Sequence, residues 1–213
     1  YVGAKPIFVD VDKYNWCICP KAVLNAITKR TKVVIAVNLY GNMADYDNLV
    51  KICKRNKIFL IEDAAESLGS KYKKIKSGEF GIGSVFSFHR TKTIATGEGG
   101  ILLTDNKILF DKCKLLRDHG RSPNSYNIQQ VAYKYMPFNM QASLGYSQFL
   151  RFKQIINKKR AILNKYKKQL KEFSLQFNVN NRDIYNGVWA VTIIIDPKYN
   201  ITSKDLINEL AKN

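Results

Sequence analysis

Histidine and cysteine are scarce in this 213-residue chain, which has two of the former and four of the latter. Cys17 and Cys19 are separated by one residue, short of the two-residue spacer usual in zinc sites, while Cys53 and Cys113 stand alone. With no paired histidines beside them, no metal site is expected, and reduced thiols in a cytoplasmic protein are. No apolar run is long enough for a membrane span, and no signal-peptide pattern opens the chain at Tyr1. Acidic residues are also few, 17 against 35 Lys and Arg, for a net charge of +18. Such an excess favours anionic partners: nucleic acid, an anionic membrane or a phosphorylated ligand. The lysines are spread along the chain beside Asn and Ile rather than gathered on one stretch, so no specific nucleic-acid partner is expected.

What remains is ordinary globular composition, 46% hydrophobic and 24% charged. Ile7 to Val11 alternates as a strand does, Pro20 to Ile27 has helical spacing, and Val33 to Val37 is a continuous apolar run of the buried parallel type. A helix capped by Asp45 and running to Arg55 follows, then a strand from Ile58 to Ile61. Strand, helix, strand, helix, strand predicts an α/β domain with a mostly parallel central sheet flanked by helices. Lys107 to Arg117 is predicted as a short helix with Ile108, Leu109, Cys113 and Leu116 inward, and Asp118 to Gln130 as a loop. A long helical pattern runs from Asn139 to Phe173, Gly187 to Ile195 reads as a strand, and Ser203 caps a last helix. The expected division is a large domain over 1–137, a connecting helix over 138–173 and the start of a smaller C-terminal α/β domain over 174–213. Since the chain opens almost inside a strand and ends in a helical pattern, it is expected to be an interior piece of a longer protein.

The stretch from Ser84 to Thr104 holds Lys92 and the Gly97-Glu98-Gly99-Gly100 cluster between two apolar runs, Val85–Phe88 and Ile101–Thr104. A lysine held in register beside a tight turn suits covalent attachment, whereas a plain hairpin would leave it solvated. Upstream, Asp63 stands at the carboxyl end of a strand, where ligands gather in open α/β sheets, although it would also serve as a helix cap. Pyridoxal phosphate needs a lysine for its Schiff base and an acid for its ring nitrogen, and Lys92 with Asp63 would supply both. Ser87 offers a hydroxyl to the phosphate. Trp16, Trp189 and the Tyr133/Tyr135 pair are read as packing residues.

Glu62-Asp-Ala-Ala-Glu-Ser-Leu-Gly69, Phe86-Ser-Phe-His-Arg-Thr-Lys-Thr-Ile-Ala-Thr-Gly-Glu-Gly-Gly100 and Leu116-Arg-Asp-His-Gly120 together resemble the DegT/StrS-type sugar aminotransferases. Tyr1 to Asp10, Asn38-Leu-Tyr-Gly41 and Gln141-Ala-Ser-Leu-Gly145 add to the likeness, which covers the chain to about residue 155. The resemblance implies pyridoxal-phosphate fold type I and transfer of an amino group, from a donor such as glutamate, onto a nucleotide-linked keto sugar of the viosamine or perosamine kind. It implies a homodimer. It makes Lys92 the cofactor lysine and proton shuttle, Asp63 the partner of the ring nitrogen, and Ser87 a phosphate ligand. Glu66 falls near the cofactor's phenolic oxygen, where an anion would be repelled, so it should be protonated or contact a neighbouring donor. Lys134, in Lys134-Tyr-Met-Pro137, replaces an Asn that in relatives reaches the other subunit's phosphate, and is assigned to the cofactor as a point charge. His119 would contact substrate from the partner subunit or make a structural hydrogen bond. The family's upstream segment with its cofactor-stacking aromatic is absent from this sequence. A related subgroup carries histidine in place of the lysine and dehydrates its sugar. Lys92 favours transamination, leaving a dehydratase of the same fold, or a basic nucleic-acid-binding protein, as alternatives.

Overall fold

The computed structural model describes residues 2–122 and 125–212. Tyr1, which opens the first family-like stretch, Pro123 and Asn124 in the expected loop, and the terminal Asn213 lie outside the described residues.

The expected alternation is present from the first helix onward, without the strand expected at Ile7–Val11. Helix α1 spans Pro20–Ala26 with Pro20 at its first position, where a missing N–H costs nothing. Strand β1 is Val33–Val37, helix α2 is Tyr46–Asn56, and strand β2 is Phe59–Asp63. The Asp45 side chain accepts from the Asn48 N–H and so caps α2, as its position before the helical pattern predicts. Strand β5, Gly83–Ser87, lies parallel to β2, and β6, Gly100–Leu103, returns antiparallel to it. Their order is β1-β2-β5-β6, so the sheet is mostly parallel. Two short strands between β2 and β5, β3 at Lys71–Tyr72 and β4 at Ile75–Lys76, pair with each other.

One face of the sheet builds the core. Val34, Ala36 and Leu60 point at Val23, Leu49 and Cys53 of the two helices, and Tyr46 stacks on Phe80 with centroids 3.9 Å apart. Each large apolar side chain buried here contributes about 1.5–3 kcal/mol. The opposite face carries Ile35 and Phe59, each more than half exposed, with Asp63 and Ser87 at its rim.

Elsewhere the structure departs from the sequence pattern. Ile7–Val11 is no strand; only Val11 bridges, to Ile18. The long helix over 139–173 is two helices, α4 at Asn139–Phe149 and α5 at Phe152–Gln169, broken at Leu150–Arg151. Helix α3, Lys107–Arg117, has the predicted bounds, but Ile108 is 82% exposed rather than inward. Of Gly187 to Ile195 only Ile193–Ile195 (β9) is extended, paired with β7 at Leu175–Phe177. A further strand, β8 at Ile184–Tyr185, joins the edge of β3. The last helix, α6 at Ser203–Leu210, is capped by Thr202 and not by Ser203, because the Thr202 hydroxyl is the one facing the Asp205 N–H.

Glu62 is fully buried among the core residues. Its carboxylate accepts from Asn38 Nδ2 (2.7 Å), Ser77 Oγ (2.9 Å), the Gly78 N–H (2.9 Å) and the Phe80 N–H (3.2 Å). Removing the acceptor leaves the Gly78 and Phe80 N–H groups unpaired, Asn38 Nδ2 and Ser77 Oγ with only Ser67, and a void behind, so Glu62→Ala should lower stability by about 3 kcal/mol in chemical unfolding. Burial pushes the carboxyl above its ordinary 4.5, opposed by these hydrogen bonds. A raised folded-state pKa means that the folded chain binds more protons than the unfolded one. This group's contribution to stability therefore falls as pH rises from 4.5 through the raised value. Glu62→Gln lacks that slope, and a wild-type-minus-variant difference that stays constant over this window would contradict the assignment.

Candidate active site

The parallel strands end on one edge of the sheet, and the candidate residues follow from that geometry. Asp63 closes β2 and is opposite Val85; Ser87, two residues on, closes β5. Side chains alternate along a strand, so Asp63, Val85 and Ser87 share one face while Glu62, Ser84 and Phe86 point into the core. Asp63 Oδ1 accepts from the Ala65 N–H at 3.0 Å, and Oδ2 takes no hydrogen bond among the described residues. The Ser87 Oγ accepts from the His89 N–H at 3.2 Å, which leaves its own proton to donate.

From Ser87 the chain turns through His89, whose carbonyl accepts from the Lys92 N–H, and on to Thr96, whose N–H returns to the Phe88 carbonyl at 2.8 Å. This closed loop presents the Lys92 side chain, 14% exposed, at the sheet edge. Helix α4 braces it: the Gln148 amide bonds both the N–H and the carbonyl of Ala95, at 3.1 and 2.7 Å. Lys92 Nζ lies 3.5 Å from Glu66 Oε1, and Glu66 Oε2 accepts the Tyr40 N–H at 2.9 Å. Of the two options the sequence leaves for Glu66, the structure supplies the neighbouring donors.

The same nitrogen is 4.3 Å from the centroid of the Trp189 ring, which stacks on Tyr40 at 5.8 Å with planes 6° apart. The Trp189 indole N–H donates to the Thr91 carbonyl at 2.9 Å. Trp189 and Tyr40 therefore belong to the Lys92 group, which corrects the reading of Trp189 as a packing residue. Trp16 is buried, edge-on to Tyr40 at 6.3 Å, as a packing residue should be. The only sequence sign for Tyr40 was its place in the Asn38–Gly41 stretch, and nothing marked Trp189, which lies about a hundred residues from Lys92.

Three buried asparagines carry Trp189 to the site. Asn42 Oδ1 accepts from the Val179 N–H (2.9 Å) and Asn186 Nδ2 (2.8 Å). Asn178 Nδ2 donates to the Tyr40 and Ala190 carbonyls at 2.9 and 3.0 Å, and its Oδ1 accepts the Thr192 N–H at 2.8 Å. The backbones approach closely: a Cβ at Gly41 would sit 2.4 Å from Asn186 Oδ1, and one at Gly187 2.7 Å from the Leu68 carbonyl. Tyr40 at φ 55 and buried Val188 at φ 57 are left-handed, a conformation that costs a side chain of either kind about 1–3 kcal/mol. Helix α5 supplies the balancing donors. Lys159 Nζ bonds the Trp189 carbonyl at 2.8 Å, Arg160 bonds the Asn186 carbonyl, and burial holds the Lys159 amine below the usual lysine range.

Lys134 and His119 lie apart from this group. Lys134 is exposed, its backbone paired with that of Asp118 in an isolated β-bridge, with Nζ 6.0 Å from the Phe138 ring. His119 has φ 58 and its N–H donates to the Tyr133 carbonyl at 2.8 Å. No hydrogen bond or ion pair joins either residue to Lys92 within the chain, among the described residues. No cluster of His, Cys, Asp and Glu able to hold a metal occurs among the described residues, and no described helix is long and apolar enough to cross a membrane.

A mostly parallel α/β sheet with its candidate lysine and carboxylates on the carboxyl edge has the fold of the pyridoxal-phosphate-dependent sugar aminotransferases. Structural likeness bears this out. PseC of Helicobacter pylori, an aminotransferase of pseudoaminic acid biosynthesis, matches with a TM-score of 0.90 at 26% identity over 99% of this chain and 57% of its own. DesI, solved with its TDP-sugar product, matches with a TM-score of 0.89 at 27% identity over 99% of this chain and 54% of its own. The chain belongs to the DegT/DnrJ/EryC1/StrS aminotransferase family, whose profile matches residues 1–213. A GDP-perosamine synthase of Escherichia coli O157:H7 is 37% identical over 195 residues, 91% of this chain and 53% of that protein. Its counterpart from Vibrio cholerae is 33% identical over 212 residues, 99% of this chain and 58% of that protein. The chain thus spans between half and three-fifths of the length of these relatives.

The asparagine network makes a local prediction. Asn178→Ala strands the Tyr40 carbonyl and the Thr192 N–H and leaves the Ala190 carbonyl only the long bond from Thr192 Oγ1, and should cost about 3 kcal/mol of stability, measured by denaturant unfolding. The change should also alter tryptophan emission, because Tyr40 and the segment bearing Trp189 lose their shared anchor.

Proposed function

We propose that the protein to which this chain belongs is a pyridoxal-phosphate-dependent aminotransferase. It moves an amino group, with glutamate as donor, onto a nucleotide-linked 4-keto-6-deoxy sugar for amino-sugar glycan synthesis of the viosamine or perosamine kind. The observation that carries the reading is Lys92, held between Glu66 and Trp189 at the sheet edge where Asp63 and Ser87 end adjacent strands. The donor set suits the cofactor. Asp63 offers an unpaired oxygen to a protonated ring nitrogen, Ser87 a hydroxyl proton to a phosphate, and Lys92 a primary amine.

Bound pyridoxal phosphate would supply an electron sink for the carbon that loses its proton. Asp63 keeps the proton on the ring nitrogen through its negative charge. Ser87 orients the phosphate. Lys92 Nζ would anchor the cofactor through its primary amine and would serve as the base that holds and moves the proton at the reacting carbon. Glu66 stays bonded to the Tyr40 N–H when Lys92 turns away, so its charge keeps a partner. Lys92 stands where the dehydrating subgroup has histidine, which favours transamination over dehydration.

Lys134 and His119 serve the second subunit's site, Lys134 at the cofactor phosphate and His119 at the substrate. The stretch that carries them onward is rich in exposed apolar residues: Val131, Tyr135, Phe138, Met140 and Phe149 are each more than 60% exposed. A two-fold dimer would cover that surface and complete both sites. We place the enzyme in the cytoplasm, where nucleotide-linked sugars and reduced thiols are both at home.

Two measurements test this. Lys92→Ala should still bind pyridoxal phosphate, leave no borohydride-reducible bond, and lose amino transfer by roughly a thousandfold. Asp63→Ala should lose cofactor affinity as well as turnover. Near-wild-type transfer by Lys92→Ala would end the reading. Sedimentation at assay concentration should give a dimer, and an active monomer would remove the proposed roles of Lys134 and His119.

A further inference from the structure

We propose that Trp189 is a positioning residue for the Lys92 amine. A lysine side chain carries about 2 kcal/mol of rotamer entropy, and one carboxylate contact at 3.5 Å leaves the nitrogen free to swing around it. The indole supplies the second restraint. Its ring lies 4.3 Å from Nζ, within cation–π range, and its N–H holds the carbonyl of Thr91, the residue just before Lys92. Side chain and backbone of the same turn are thus gripped by one aromatic group.

That group is itself fixed independently of Lys92. Its ring rests on Tyr40, and its carbonyl is held by Lys159 from α5. Trp189 therefore transmits the placement of the 178–192 segment to the amine and keeps Nζ against Glu66 and away from water. Its bearing on turnover rests on the aminotransferase reading, whereas the contact itself does not.

The experiment uses cofactor-free protein treated with limiting acetic anhydride. Acetylation of Lys92 is compared by peptide mass spectrometry with that of exposed Lys51, and partly buried Lys167 reports on unfolding. Trp189→Leu should raise the relative labelling of Lys92 by roughly three- to tenfold, the range expected for loss of a partly buried cation–π contact, and leave Lys167 unchanged. Trp189→Met fills the space without a ring and should behave the same way, so a misfolded Leu variant does not decide the question. Trp189→Phe keeps an aromatic face and should stay within about twofold of wild type. Unchanged Lys92 labelling in the Leu and Met variants overturns the inference. Borohydride reduction with pyridoxal phosphate, followed by mapping of the modified lysine, separates the two readings. Cofactor on Lys92 with labelling indifferent to Trp189 removes the positioning role and leaves the aminotransferase. Responsive labelling with no cofactor on Lys92 does the reverse.

Discussion

The buried carboxylate of Glu62 is the constraint on which the site depends. Its donors come from the loop after β1 and from the turn before β5, so one side chain ties three strands' worth of chain together. A carboxyl group is tolerated in a core only when its lone pairs are filled, and here two backbone N–H groups and the side chains of Asn38 and Ser77 fill them. Because strand side chains alternate, burying Glu62 forces Asp63 to the other face, at the rim where the parallel strands end. A slip of one residue would exchange the two carboxylates, placing Asp63 in the core and Glu62 at the edge. The register Val37↔Asp63↔Val85 then puts Ser87 and the Lys92 loop at the same edge as Asp63.

The run from Pro20 to Asp63 was largely legible because local pattern and tertiary role agree there. Val33–Val37 and Phe59–Asp63 are strands as their apolar runs predict, although only one face of each is buried, and Pro20 and Asp45 mark helix starts by their own chemistry. Lys92, Asp63, Glu66 and Ser87 lie on that frame, and the structure brings them to one edge. Elsewhere, pattern and role separate. Ile7–Val11 alternates convincingly, but no neighbouring strand offers it a ladder beyond one bridge. The helical period over 139–173 continues through Leu150–Arg151, and only tertiary docking decides that the chain turns there. Tyr72 and Ile75 flank a tight turn too short to register as strands until β8 arrives from more than a hundred residues away.

Trp189 was missed for a related reason. Gly187–Ile195 is β-branched and apolar, so its period argues for a strand, yet its first half has no partner strand. A chain without a ladder must still satisfy its backbone groups, and the accounting here closes through side chains. Asn178 takes the carbonyls of Tyr40 and Ala190, Arg160 that of Asn186, and Lys159 that of Trp189. A lysine-rich helix such as α5 reads in sequence as a solvated face, and most of its cations are exposed. The few that turn inward do so because an irregular segment needs donors, and their burial lowers the affinity of Lys159 and Lys167 for a proton. Freedom from the ladder is also what lets the segment bend, with Val188 at positive φ, so that its indole leaves the strand direction and meets an amine on the far sheet edge. The break between α4 and α5 serves the same end. It lets α4 grip the Lys92 loop through Gln148 while α5 holds the segment that covers it, so opposite sides of one lysine are set by two helices that the sequence presents as one.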